Sequence, residues 1–162
     1  MGVVFYVDST NFHGWAVQLT DDDEYARPWA YSGSAASNTD IPGIANADGS
    51  LNANKDYDGY ANTQTIRATG DEYSYPAAWL VDFDNGWYLP AAGQLSVLYS
   101  ELMSVNASLQ LVGGNPLAMD GFFNYWTSTE SDDTQAWTLI YNGTLSKAQK
   151  YYYYSVRAVR GF

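Results

Sequence analysis

The chain predicts an α+β domain, on three observations. A run of β-formers near the start, Val3-Val4-Phe5-Tyr6-Val7, is followed after a polar turn by another, Trp15-Ala16-Val17-Gln18-Leu19. In the middle, apolar residues recur at helical spacing from Leu95 to Val112. From Phe122 onward the pattern changes to short β runs divided by polar turns. Strands, two helical regions and strands again describe an α+β layout. At 162 residues the chain is expected to form one domain over 1–162, burying roughly two thirds of its unfolded surface.

Taken in order, the first two β runs flank Asp8-Ser9-Thr10-Asn11-Phe12-His13-Gly14 and predict a hairpin. The single histidine, His13, falls in that turn, where a surface role outweighs a ligand or base. Thr20 to Lys55 is rich in Ser, Asn, Asp and Gly and reads as a long loop. Its acids, Asp21-Asp22-Asp23-Glu24 and those from Asp40 to Asp58, offer calcium-type oxygens, but EF-hand spacing is absent and they read as solvated loop. Asp58 is positioned to cap a helix over Gly59 to Ala68, with Gly70 as its stop, and Ser74 to open a short one through Pro76 to Leu80. The strongest helix follows Gly86-Trp87-Tyr88-Leu89-Pro90. Its apolar stripe, Leu95, Leu98, Tyr99, Leu102, Val105, Leu109 and Val112, should be core, and Gly113-Gly114 ends it.

The last third is expected to hold strands at Trp126-Thr127-Ser128, Ala136 to Asn142 and Tyr151 to Val159, with Ser131-Asp132-Asp133-Thr134 as a polar turn. Within Ala136 to Asn142, alternation turns Trp137, Leu139 and Tyr141 inward and Thr138, Ile140 and Asn142 outward. The pattern fits a rigid aromatic scaffold with chemically mixed tips and, equally, an ordinary half-solvated sheet. Four consecutive tyrosines, Tyr151 to Tyr154, add a sharper signal. Successive strand side chains point to opposite faces, so at least two of these rings must leave the core side. Tyrosine supplies contact area with few rotatable bonds and a hydroxyl, which suits a recognition surface.

Composition narrows the function further. The chain is 46% hydrophobic, 17% aromatic and 15% charged, the profile of a folded globular domain. With no cysteine, disulfides, thiolate catalysis and thiolate metal sites are excluded. A net charge of -11 argues against nucleic acid as a partner, because phosphate contact needs clustered Lys and Arg. Four of the seven basic residues, Lys147, Lys150, Arg157 and Arg160, lie in the last sixteen positions. Arg157 and Arg160 there are expected to pair with carboxylates of the body. No apolar run reaches the roughly 18 residues of a membrane span, and Met1-Gly2-Val3-Val4 does not have a signal-peptide layout. This predicts no direct membrane insertion, and either cytoplasmic assembly or a trimmed leader.

No catalytic constellation emerges. A Ser/His/Asp or Cys/His arrangement would have to use His13, which lies in no nucleophile motif. Asp82 and Asp84 form a carboxylate pair of a kind expected in any chain with eighteen acids. Gly113-Gly114-Asn115-Pro116 ends a helix, whereas a phosphate cradle starts one. The expectation is a non-enzymatic protein with no cofactor and no metal.

Several strings together resemble one family. These are Gly86-Trp87-Tyr88-Leu89-Pro90 before a helix, Tyr125-Trp126-Thr127-Ser128-Thr129-Glu130, Ala136-Trp137, and Val156-Arg157-Ala158-Val159-Arg160-Gly161-Phe162 at the end. Gly2 to Asp8, His13 to Val17 and Asp58 to Thr63 extend the match over nearly the whole chain. The sequence resembles the C-type-lectin-fold variable proteins of diversity-generating retroelements, in versions common in gut Bacteroides and their phages. The resemblance implies a C-type lectin-like fold with two helical regions, a twisted antiparallel sheet and long loops. It implies a fixed scaffold whose C-terminal codons are rewritten through errors at adenines, and a place on a cell surface or phage virion. The partner implied is a cell-surface protein or glycan. Copper-binding cysteines of the sulfatase-activating enzymes of this fold have no counterpart here, and neither do the Glu-Pro-Asn and Trp-Asn-Asp strings of its calcium-dependent sugar lectins.

Carried over by position, the resemblance makes Trp126, Trp137, Leu139, Val156, Arg157, Val159 and Arg160 scaffold. Within 124–155 the candidate ligand-binding residues are Asp132, Asp133, Thr134, Thr138, Ile140, Asn142, Thr144, Ser146, Ala148, Tyr151, Tyr152, Tyr153 and Tyr154. Each is reachable by adenine mutation of an Asn codon ending in a pyrimidine. Trp126, Glu130, Gln135, Trp137, Lys147, Gln149 and Lys150 are not, which marks fixed positions or other codons. The alternative is a static structural or adhesion module of the same fold, in a surface lipoprotein or phage particle.

Overall fold

The computed structural model describes residues 1–22, 26–118, 121 and 123–162. Asp23 and Glu24 of the acidic run, and Phe122 at the start of the last β region, lie outside the described residues. The architecture is α+β with antiparallel sheets. Strands β1 (Gly2–Val7) and β2 (Gly14–Gln18) form the expected hairpin, and β8 (Val159–Gly161) joins the other side of β2. Strand β3 (Arg27–Pro28) pairs with β7 (Tyr153–Tyr154), and β4 (Asn124–Glu130), β5 (Gln135–Ile140) and β6 (Leu145–Gln149) form a third sheet in that order. The chain ends are therefore tied together, Gly14 N–H bonding Phe162 O at 3.0 Å.

The helices largely fall where the sequence places them. They are α1 (Ser50–Ala53), α2 (Gly59–Thr69), α3 (Pro76–Leu80), α4 (Ala92–Ser100) and α5 (Leu102–Leu111). Asp58 stands at the N-cap of α2 without a side-chain capping bond. The acceptor there is Asp56, whose Oδ1 takes the Asp58 N–H at 2.9 Å. The single long helix expected from Leu95 to Val112 is two, because Glu101 at φ -101°, ψ 11° leaves helical geometry between them. Leu95, Leu98, Leu102, Val105 and Leu109 still point inward, so the break preserves most of the apolar stripe. Tyr99 is half-buried and Val112 exposed.

The Thr20–Lys55 stretch is mostly irregular, yet it carries core. Trp29, Ala30, Ile41, Ile44, Ala47 and Ala53 are all buried. Trp29 donates its ring N–H to Thr127 O at 2.9 Å and lies in one cluster with Trp126, Ala136 and Ala148 on the β4-β5-β6 sheet. Against the opposite face of that sheet, Leu139 packs with Leu95, Leu98 and Leu102 of α4 and α5. Both faces of β5 are therefore covered, and alternation there separates two interiors instead of inside from outside. Thr138 is the consequence: expected to face outward, it is 1% exposed and donates its hydroxyl to Tyr125 O at 2.8 Å. Tyr141, expected inward, is exposed because β5 stops at Ile140 and the chain turns through Gly143.

The motif strings are structural. Trp87, Tyr88 and Leu89 are buried, and Tyr88 and Val159 exchange backbone hydrogen bonds at 2.9 and 3.0 Å. Arg157 is buried, pairs with Asp21 at 2.7 Å and donates to Gln18 O and Asn115 O. It pins the terminal segment to the loop before β3. Arg160 instead is exposed and sits over the Trp87 ring at 5.5 Å, with no carboxylate partner among the described residues.

Candidate ligand-binding surface

The tyrosine segment is a turn more than a strand. Tyr152 N–H bonds Gln149 O at 2.9 Å, so Lys150 to Tyr152 reverse the chain after β6, and only Tyr153 and Tyr154 pair, with Pro28 and Arg27. Because a turn splays side chains instead of alternating them, three rings reach solvent. Tyr151, Tyr152 and Tyr153 are 41, 46 and 58% exposed. Tyr151 stands edge-on to Tyr152 at 5.2 Å, and Tyr152 to Tyr154 at 6.3 Å. Tyr154 is half-buried, its ring 4.9 Å from Trp126, and so belongs to the floor of the patch and not to its face.

Beneath these rings lies a buried ion pair. Lys150 Nζ meets Glu130 Oε1 at 2.5 Å, and both side chains are fully buried. The ammonium also donates to Thr39 O and Asp133 O at 3.0 Å each, and lies 4.9 Å over the Trp29 ring. Glu130 Oε2 accepts the Ile41 N–H at 3.1 Å. The Lys150 backbone adds bonds to Thr134 O and from Ala30 N–H. One lysine thus gathers the 39–41 loop, the 131–134 turn and the tyrosine turn around three satisfied donors. The sequence marks Glu130 as part of a motif string, Lys150 as part of the basic C-terminal cluster and both as residues outside the variable set, but not as partners. Their pairing has no local signal, being twenty positions apart.

Asp132, Asp133 and Thr134 sit beside this clamp. Asp132 Oδ1 accepts from Thr134 N–H, Thr134 Oγ1 and Gln135 N–H at 2.8 to 2.9 Å, a side-chain-closed turn. Burial pulls the Asp132 carboxyl upward, but these donors and the charge of Lys147 outweigh it and hold it below the usual aspartate value. Asp132 is therefore committed to its turn, while Asp133 is exposed.

Ile140, Asn142 and Thr144 lie at the other end of β5, about 17 Å away for five residues of strand. Asn142 and Thr144 are exposed, Ile140 is half-buried, and Ser146 on β6 is half-buried between the two ends. Ala148, like Thr138, is interior: it is 5% exposed, opposite Ala136 and within the Trp29 cluster. Thr138 and Ala148 therefore leave the candidate surface, because the layer of irregular chain before α2 covers that face of the sheet. The exposed remainder forms two patches, Asp133 with Tyr151 to Tyr153, and Asn142 with Thr144.

The loop acids act as local acceptors. Asp56 Oδ2 takes Asn62 Nδ2 and Thr129 Oγ1 at 2.9 and 2.7 Å, Asp48 takes Asn52, and Asp40 takes Asn46. Among the described residues, no three His, Cys, Asp or Glu side chains gather as a metal-ion site. Asp82 accepts twice from Asn85 in the turn before Gly86. Among the described residues, no helix is long and apolar enough to cross a membrane.

No protein-family model matches this chain, and no curated protein matches it. Among solved structures it is similar to a fimbrial protein from Bacteroides ovatus, with a TM-score of 0.64 and 22% identity. The likeness covers 92% of this chain and 36% of the fimbrial one, so the chain spans about a third of that protein's length and shares its fold over that part.

Proposed function

We propose that this domain is a non-enzymatic recognition module of C-type lectin-like fold whose C-terminal surface binds a cell-surface protein or glycan. The observation that carries the reading is the tyrosine turn: three exposed rings held on a backbone that a buried Glu130–Lys150 pair fastens to two other loops. Rings presented on a stiff frame lose little conformational entropy on contact. The sequence strings shared with retroelement-diversified variable proteins support the further reading that Asp133, Asn142, Thr144 and Tyr151 to Tyr153 are exchangeable positions on that frame. A cell surface or phage virion is the corresponding location.

Two tests apply. Binding of the wild-type protein to an array of cell-surface proteins and glycans should be lost in the Y151A/Y152A/Y153A variant. An array signal that the triple variant retains would remove this surface from recognition. Beside the gene, a reverse transcriptase and a near-copy of the codons for the last forty or so residues decide for diversification. The second reading, a static adhesion module, is favoured by the fold likeness to a fimbrial protein, and absence of both genetic elements selects it.

A further inference from the structure

Next to the tyrosine turn lies a groove that no residue of 124–155 lines. Arg27, Tyr31, Glu72, Tyr73, Pro76 and Leu80 line an open groove of about 320 Å3 there, in the size range of small-ligand sites. Segments some forty residues apart form its walls, and each is stiffly held. On one side Asp71 closes the 71–74 turn by accepting the Ser74 N–H at 2.9 Å on its carboxylate, and its carbonyl takes the Tyr75 N–H at 2.9 Å. Tyr75 then inserts edge-on against Trp29 at 5.6 Å. On the other side Ala30 N–H bonds Lys150 O, and Tyr31 O accepts both the N–H and the hydroxyl of Ser34 at 3.1 and 2.8 Å. As a result the Tyr31 and Tyr73 rings stand 5.4 Å apart, tilted by 30°, with Tyr73 67% exposed. Core packing does not explain a ring so exposed on so fixed a turn. The pairing of β3 with β7 sets Arg27, which lines this groove, beside Tyr154 at the floor of the tyrosine patch.

We infer that the groove binds a neutral glycan, a pyranose ring lying against Tyr73 and Tyr31 while its hydroxyls donate to the Glu72 carboxylate. A sugar ring presents a face of weakly positive C–H groups that matches the negative π-face of tyrosine. Its adjacent hydroxyls suit a carboxylate acceptor, giving charge-assisted hydrogen bonds. Neutrality follows from the body: with eighteen acidic against seven basic residues and a net charge of -11, sialylated or sulfated chains are repelled. The inference rests on the recognition reading above and extends it to residues outside the C-terminal segment.

The test is an array of neutral oligosaccharides built from hexoses, N-acetylhexosamines and fucose, printed beside sialylated and sulfated glycans, linear peptides and cell-surface proteins. The full chain should bind one or more neutral glycans. Y73A should weaken that binding about tenfold or more, as removal of an aromatic anchor does, and E72Q severalfold. Both sites are exposed, so circular dichroism and Tm should match wild type. Binding only to anionic glycans or only to peptides overturns the inference, as does no glycan binding, or neutral-glycan binding that Y73A leaves unchanged. The Y151A/Y152A/Y153A variant separates the two claims. If no neutral glycan binds but that variant loses a protein on the array, the groove fails and the tyrosine surface stands. If Y73A loses the glycan while the triple variant keeps every array signal, the groove stands and the tyrosine surface fails.

Discussion

Asp22 accepts the Ala158 N–H at 2.8 Å and lies close to the Arg157–Asp21 pair. Burial is the main influence on its carboxyl, which is pushed up to about 7 from an ordinary 3.8. Between those values the folded protein holds a proton that the unfolded chain has released, so stability falls as pH rises. The contribution is fully present below about pH 4 and lost by about pH 7. Thermal unfolding from pH 4 to 7.5 should show Tm decreasing, on the order of 5 °C, and D22N should flatten that slope. A slope unchanged in D22N would assign it to other acids. Lys150 supports a prediction of the opposite kind. K150M leaves Glu130 buried and unpaired and strips donors from Thr39 O and Asp133 O, which should cost about 3–5 kcal/mol in urea unfolding. The E130L/K150M double variant should recover part of this, since it removes both charges.

At the scale of elements, the tyrosine turn and the sheet beneath it make separable contributions. Y151A/Y152A/Y153A removes rings that are about half in water and lie outside the core clusters, so Tm should stay within roughly 3 °C of wild type. Y154A takes away the ring packed on Trp126 and should cost about 2–4 kcal/mol. Denaturation of both variants checks the division; unfolding of the triple variant would make those rings core. Local patterns in the sequence foretell much of this layer. The first hairpin, α2, α3 and the apolar stripe of the α4–α5 region follow from β-former runs, capping positions and 3.6-residue spacing. Three features do not. The break at Glu101 leaves the stripe intact and so leaves no mark on it. Strand β6, with Ser146, Lys147 and Gln149, has no apolar alternation, since its formation depends on pairing with β5. The two-faced burial of β5 comes from Trp29 and its neighbours, a loop about a hundred residues earlier. That is also why parity put Thr138 on the surface, and why Ala148, a candidate through the family resemblance, is interior as well. The outward tyrosines, in contrast, were readable, because four bulky rings in succession cannot all face one interior.

For the molecule as a whole, the frame is closed by contacts distant in sequence: β2 with β8, Arg157 with Asp21, and Lys150 with Glu130 and Thr39. Those closures lie beside the candidate positions without using their exposed side chains. Asp133 contributes its carbonyl to the Lys150 clamp and Thr134 its own to the Lys150 N–H, and any residue type supplies a carbonyl. Gly143 belongs with the frame: its φ of 81° and the Tyr99 ring against it exclude a side chain. A library randomised at Asp133, Asn142, Thr144, Tyr151, Tyr152 and Tyr153 should therefore yield mostly folded protein, with single changes within about 0.5 kcal/mol. Randomising Thr138, Ala148 and Tyr154 instead should abolish folding in most members, since larger residues overpack an interior layer and smaller ones leave cavities. Protease resistance of displayed library members reads both outcomes on one scale. Equal loss in the two libraries would mean that surface and frame are energetically one unit, and a domain built that way could not exchange its binding residues while keeping its fold.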